Sequence, residues 1–253
     1  MTNFYATIAR YYDSEHADKT EDMAFYSELA EEYGDPILII GSGTGRIALH
    51  LAQEGYEVHG IEIEPAMLER AERKLTALPH LRDQVTFHAG DALKIPLDQQ
   101  FKLAIIPYNT LMHFYQDDAQ RVLIKRLRGW VERGGALMID LPNAGEAFAA
   151  PDTEAVTLER TFLEQETGHL VMQQSVSVLD RVEQLMRVTW IYDEIGDEGE
   201  LSRTVVPVLI RYFFYAEMQL LLEVCGFEVA EVFGDFDRSD FEDGAPRMII
   251  VAK

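Results

Sequence analysis

The run Ile37-Leu-Ile-Ile-Gly41-Ser-Gly43-Thr-Gly45-Arg46 constrains this chain more than any other stretch. Consecutive aliphatic residues without polar alternation describe a strand buried on both faces, as in a parallel sheet. Glycines at alternate positions then end it. Glycine takes up positive φ at no steric cost and lets backbone approach a ligand closely. Helix amides just beyond can meet a ligand's negative group. In such sheets ligands sit beyond the carboxyl ends of the strands.

The chain repeats this alternation. The patterns predict a helix over 46–54, a strand over 57–61 and a helix from Glu64-Pro65 to about Leu78. A strand follows at 85–88, then one at 103–107, a mostly helical stretch at 111–128, and a strand at 136–141. Strands alternating with helices make a parallel sheet covered on both faces. Near Pro142 the alternation stops. Residues 155–213 show period-2 patterning, with breaks at Glu166-Thr167-Gly168, near Asp180-Arg181 and at Gly196-Asp197-Glu198-Gly199. That pattern is an antiparallel meander, and Pro207 makes its own strand an edge or a bulge. A helix at 215–225 stops at Gly226, and strands at 227–233 and 248–252 close the chain. The N-terminal segment reads as two short helices. The expected organisation is a single domain over 1–253. It has a helical lid at 1–34, a cofactor-binding core at 35–149, an antiparallel cap at 150–213, and a terminal helix and hairpin at 214–253.

Charge narrows the function. Asp and Glu number 44 against 22 Lys and Arg, a net charge of −22. Nucleic-acid binding needs Lys and Arg to neutralise phosphates, and anionic membranes repel such a surface. Neither is an expected partner. Cys225 is the single cysteine, so no disulfide framework or cysteine-based metal site is expected. No apolar run reaches the roughly 20 residues that span a bilayer. The opening MTNFYATIARYYDSEH has no apolar signal-peptide region. The expectation is a cytoplasmic protein, monomer or homodimer.

The spacing around the glycines sharpens the reading. Glu62 ends the second strand, where an acid can take both ribose hydroxyls of a nucleoside cofactor. Asp91, after the third strand, is placed to meet an adenine amino group. A nicotinamide or flavin domain would carry G-x-G-x-x-G, whereas this turn is G-x-G-x-G. The chain resembles the class I S-adenosylmethionine-dependent methyltransferases over nearly its whole length. The residues that carry the resemblance are Gly41-Ser-Gly43-Thr-Gly45, Gly60-Ile-Glu62-Ile-Glu-Pro-Ala-Met67-Leu68, Gly90-Asp91-Ala92 and the terminal hairpin. The resemblance implies a Rossmann-like seven-stranded sheet with a reversed last strand. It implies S-adenosylmethionine as cofactor and S-adenosylhomocysteine as product. It places the Gly41, Gly43 and Gly45 turn on the methionyl part, Glu62 on the ribose, and Asp91 with Ala92 around the adenine. Ile63 and Pro107 complete the implied cofactor contacts. One position departs from the family: Ile39 stands where an acid usually supports the methionyl ammonium.

The segment Pro107-Tyr108-Asn109-Thr110-Leu111-Met112-His113 follows the fourth strand, beside the expected methyl. His113 is the natural proton acceptor, with an ordinary pKa of about 6.5. Asn109 either orients an acceptor or caps the helix that follows. The stretch Ile8-Ala9-Arg10-Tyr11-Tyr12-Asp13 resembles the opening of small-molecule methyltransferases, including those acting on sugar amines. That resemblance gives Tyr12 a contact with cofactor or acceptor. The expected catalytic set is Tyr12, Asn109 and His113, with no metal, acting on a small-molecule acceptor at nitrogen before oxygen. The alternative is a non-catalytic S-adenosylmethionine-binding sensor or partner protein.

Overall fold

The structure is a computed structural model and describes residues 4–149 and 155–253. In chain order it runs α1 (Phe4–Glu15), α2 (Met23–Tyr33), β1 (Ile37–Ile40), α3 (Arg46–Gln53), β2 (Val58–Glu62) and α4 (Pro65–Ala77). Then come β3 (Val85–Ala89), β4 (Phe101–Ile106), α5 (Asp117–Trp130), β5 (Val131–Pro142) and α6 (Ala144–Ala149). The meander is β6 (Thr157–Leu163), β7 (Leu170–Asp180), β8 (Leu185–Ile195) and β9 (Leu201–Arg211). The chain closes with α7 (Tyr215–Val224), β10 (Val229–Phe233) and β11 (Arg247–Ala252). The chain divides into two compact units, one of residues 20–149 and 213–253, the other of 1–19 and 150–212.

The larger unit holds a seven-stranded sheet in the order β10-β11-β5-β4-β1-β2-β3. Strands β1 to β5 are parallel and β11 runs antiparallel to β5, so the expected reversed strand is present. All of β1 is buried, as its unbroken aliphatic run requires. Helix α4 starts where Glu64 accepts a bond from the Ala66 amide at 3.3 Å, with Pro65 in its first turn. The helix expected at 111–128 is two pieces, a 3-10 turn at Thr110–His113 and α5.

Helix α2 corrects the expected lid over 1–34. Phe25, Tyr26, Leu29 and Ala30 are buried in one cluster with Ile37, Ile39, Ile47 and Leu51. The acids Glu28, Glu31 and Glu32 lie on the exposed face of α2. Asp22, fully buried, is neutralised by Arg46 through two bonds of 2.7 and 2.6 Å. The buried positions of α2 recur one turn apart, an apolar stripe that packs on the core.

The smaller unit is a four-stranded antiparallel sheet, β6-β7-β8-β9, with α1 on one face. Phe4, Ile8 and Tyr11 of α1 pack on Val171, Val188, Tyr192, Val206 and Val208. Tyr11 stacks on Tyr192 with ring centroids 5.0 Å apart and donates to Glu194 at 2.9 Å. Pro207 lies on the edge strand β9, where its missing N–H costs no ladder bond.

Tyr26 supplies a test of core packing. Its hydroxyl is buried and has no hydrogen-bond partner among the described residues. Burial therefore leaves it uncompensated. Tyr26→Phe should be neutral or raise stability by up to about 1 kcal/mol in urea denaturation. A loss above about 1 kcal/mol would mean that the hydroxyl is bonded, through a buried water.

Candidate cofactor and acceptor site

The glycine turn is built for positive φ. Gly41, Gly43 and Gly45 have φ of +67°, +59° and +82°. Their reasons for being glycine differ. A Cβ on Gly41 would meet the Thr110 side chain at 2.7 Å, and one on Gly45 would meet Phe87 at 3.0 Å and Ala71 at 3.2 Å. Those two glycines admit protein neighbours. A Cβ on Gly43 would meet only the Met67 terminal methyl, at 3.7 Å, so this position opens onto space. Glu62 fixes the turn. Its Oε2 accepts from the Gly43 amide and its Oε1 from the Glu64 amide, both at 2.8 Å. Burial pushes its carboxyl above the usual range, and these amides oppose that rise. Each oxygen of an ionised carboxylate accepts about two bonds, so each keeps capacity for a hydroxyl donor.

Next along the sheet edge, Gly90 donates to the Glu62 carbonyl at 2.9 Å. Asp91 Oδ1 accepts from the Leu93 amide at 2.9 Å, and its Oδ2 pairs with Lys94 at 3.0 Å. Burial acts to raise the Asp91 pKa, but these partners outweigh it and hold the group below its ordinary value. Ala92 is buried, while Ile63, just after β2, is an apolar side chain left 55% exposed.

The segment after β4 is strained. Pro107 is buried, and Tyr108 and Asn109 both have positive φ, 39° and 65°. Such pairs persist only where surrounding structure imposes them. Here the cause is Asp140, fully buried on β5. Its Oδ2 accepts from the Tyr108 amide at 2.9 Å and its carbonyl from the Asn109 amide at 3.1 Å. Arg247, at the start of β11, pairs with Asp140 Oδ1 and donates to Asn109 Oδ1 at 2.9 Å. The Asn109 side chain therefore does not cap the following turn. An arginine can only donate, so Asn109 must turn its oxygen to Arg247 and its amino group elsewhere. Reading the sequence missed Asp140 and Arg247. The available signal was an acid inside the apolar run 136–141.

The structure brings Gly41, Gly43, Gly45, Glu62, Ile63, Asp91, Ala92, Pro107 and Asn109 to the carboxyl ends of the neighbouring strands β1 to β4. His113 ends the 3-10 turn that follows, and desolvation holds its imidazole down at about 4. It is neutral near pH 7 and a weak base. Tyr12 belongs to the smaller unit, on α1, where it stacks on His16 at 4.4 Å and meets Tyr5 edge-on at 6.3 Å.

Residues 37–135 match the family model described as a methyltransferase domain. A putative methyltransferase, YqeM of Bacillus subtilis, is 24% identical over 225 residues, 86% of this chain and 83% of that protein. The CcbJ methyltransferase of Streptomyces caelestis superposes with a TM-score of 0.80 at 24% identity, over 95% of both chains. CalS10 of Micromonospora echinaspora, an amino pentose methyltransferase solved with S-adenosylmethionine bound, has a TM-score of 0.69 at 20% identity. It covers 94% of this chain and 93% of its own.

Two outcomes follow from this geometry. Arg247→Ala would leave the Asp140 carboxylate buried without its cation and should cost about 3–5 kcal/mol in urea denaturation. A cost under about 1 kcal/mol would contradict the pairing. His113 gives a pH dependence. Its folded pKa lies below the unfolded one, so the unfolded chain takes up the proton first. Stability should therefore fall as pH drops from about 6.5 to about 4, by about 3 kcal/mol relative to His113→Gln. Parallel pH profiles for the two proteins would contradict the desolvation.

Proposed function

We propose that the chain is a class I S-adenosylmethionine-dependent methyltransferase and that it methylates an amino nitrogen of a small molecule. The observation that carries the cofactor half is the buried Glu62 carboxylate tied to the Gly43 amide, with acceptor capacity left on both oxygens. The residues fit the group. Glu62 takes the ribose hydroxyls, Gly43 leaves room for the methionyl chain, Ile63 covers one face of the adenine, and Asp91 accepts from its amino group. With Ile39 buried in the core and no acid there, the overall negative charge of the chain favours the cationic methionyl end.

When bound, the cofactor supplies an electrophilic methyl on a sulfonium. The protein's part is chiefly to position. Holding an acceptor lone pair about 3 Å from that methyl, in line, supplies several kcal/mol of the barrier. Asn109, turned by Arg247, presents an amino donor to an oxygen of the acceptor near the reacting atom. The strained Tyr108–Asn109 corner keeps that donor in place.

Nitrogen is favoured over oxygen on chemical grounds. An effective base has a pKa near the working pH. His113, held at about 4, is poor at drawing a proton from a hydroxyl. A neutral amine already carries its lone pair and gives its surplus proton to water after transfer. CalS10, whose fold this chain shares, acts on an amino pentose, a substrate class that carries such a nitrogen.

Calorimetry tests the cofactor. S-adenosylhomocysteine should bind and NAD should not. Glu62→Ala loses two charge-assisted bonds and should weaken that binding at least about tenfold while the fold survives. Gly43→Val should abolish it, with less effect on melting of the free protein. Unchanged binding in either variant refutes the assignment. A screen of amines against matching alcohols, read as S-adenosylhomocysteine release, tests the acceptor atom. Turnover with alcohols alone would overturn nitrogen.

A further inference from the structure

Arg126 is absorbed by none of the roles above, yet its guanidinium reaches the segment that frames the adenine. It lies on α5, outside the sheet edge. Its Nε donates to the Ala92 carbonyl at 3.0 Å, and its Nη2 donates to the Ile95 carbonyl. The guanidinium also lies 4.6 Å from the centre of the buried Trp130 ring. It is thus held from behind by an aromatic face while it holds two carbonyls in front. The planar fork of arginine suits this, because one side chain can serve two acceptors in fixed geometry.

We propose that Arg126 is a positioning residue that sets the preference for adenine through the Gly90–Ile95 segment. The inference rests on the reading that Asp91 and Ala92 meet the adenine. Between the two carbonyls that Arg126 grips lie Leu93 and Lys94, and just before them Asp91. The Leu93 amide and Lys94 are the partners of the Asp91 carboxylate. Gripping both carbonyls therefore fixes the groups that orient the carboxylate. An ionised carboxylate only accepts hydrogen bonds. It welcomes the exocyclic amino group of adenine and opposes a carbonyl oxygen at the same ring position. The Arg126 bond occupies one of the two lone pairs of the Ala92 carbonyl and leaves the Ala92 amide as the donor at this position. The segment then reads one base by an accepting side chain.

The experiment uses two probes, S-adenosylhomocysteine and S-inosylhomocysteine, in which the amino group is replaced by a carbonyl. Binding of each is measured by calorimetry to the parent protein, Arg126→Gln, Arg126→Lys and Asp91→Ala. The parent should prefer the adenosyl compound. Arg126→Gln should weaken it about tenfold or more and narrow the preference. Arg126→Lys keeps the charge with one compact donor group and should recover only part of the loss. Hydrogen exchange at residues 90–95 should quicken in Arg126→Gln, a readout independent of ligand and available if affinity is too low to measure. Should Asp91→Ala lose the preference while both Arg126 variants keep it, Arg126 is overturned and the adenine reading stands. Should Asp91→Ala bind both probes as the parent does, the adenine reading fails and the proposal with it.

Discussion

The bond from the Gly43 amide to the Glu62 carboxylate is the interaction on which the rest of the site depends. A carboxylate that is 6% exposed is costly unless its oxygens are engaged. Glu62 meets that cost with two backbone amides from opposite sides, one in the glycine turn and one at the start of α4. A single side chain thereby pins the end of β2 to the turn after β1 and aligns α4 beside them. The three glycines supply the positive φ of the turn, and the tie to Glu62 fixes one arrangement of it. Neighbouring backbone adds to the tie, through the Gly41 and Ser42 amides on the Ile61 carbonyl.

The reversed strand has a chemical consequence. In a parallel sheet every strand brings its carboxyl end to the ligand edge. Because β11 runs the other way, it brings its first residue there instead, with Arg247 beside Pro142 and Ile249 beside Asp140. A cation is thus delivered to a buried acid at the edge where the segment after β4 turns. Asp140, Arg247 and Asn109 form one connected group, and the Tyr108 amide closes it. A second buried pair, Asp22 with Arg46, joins α2 to the helix that leaves the glycine turn. Both pairs tie down segments at the carboxyl ends of the strands. Each is strong only while both members are present.

The parallel half of the fold was legible because buried strands announce themselves as unbroken aliphatic runs, and Ile37–Ile40 is the clearest. The meander was legible because its period is two and its turns carry glycine. The positions of Glu62, ending β2, and Asp91, just after β3, were legible because each lies where a buried strand stops. Three things were not legible. Helix α2 was placed in the lid because its stripe of Phe25, Tyr26, Leu29 and Ala30 does not itself say which surface it covers. The role of Asn109 was left open, because only the distant Arg247 decides which way its amide turns. The packing reason for Gly45 was hidden, because its missing side chain admits Phe87 and Ala71 from elsewhere in the chain. In each case the deciding contact lies far away in sequence, where local pattern carries no information.

A crystal structure of the protein with S-adenosylhomocysteine tests the central claim most directly. The account predicts both Glu62 oxygens within about 3 Å of the ribose hydroxyls, with the bonds to the Gly43 and Glu64 amides kept. A ribose bound away from Glu62, or a Glu62 side chain that leaves Gly43 to reach the ligand, would contradict it.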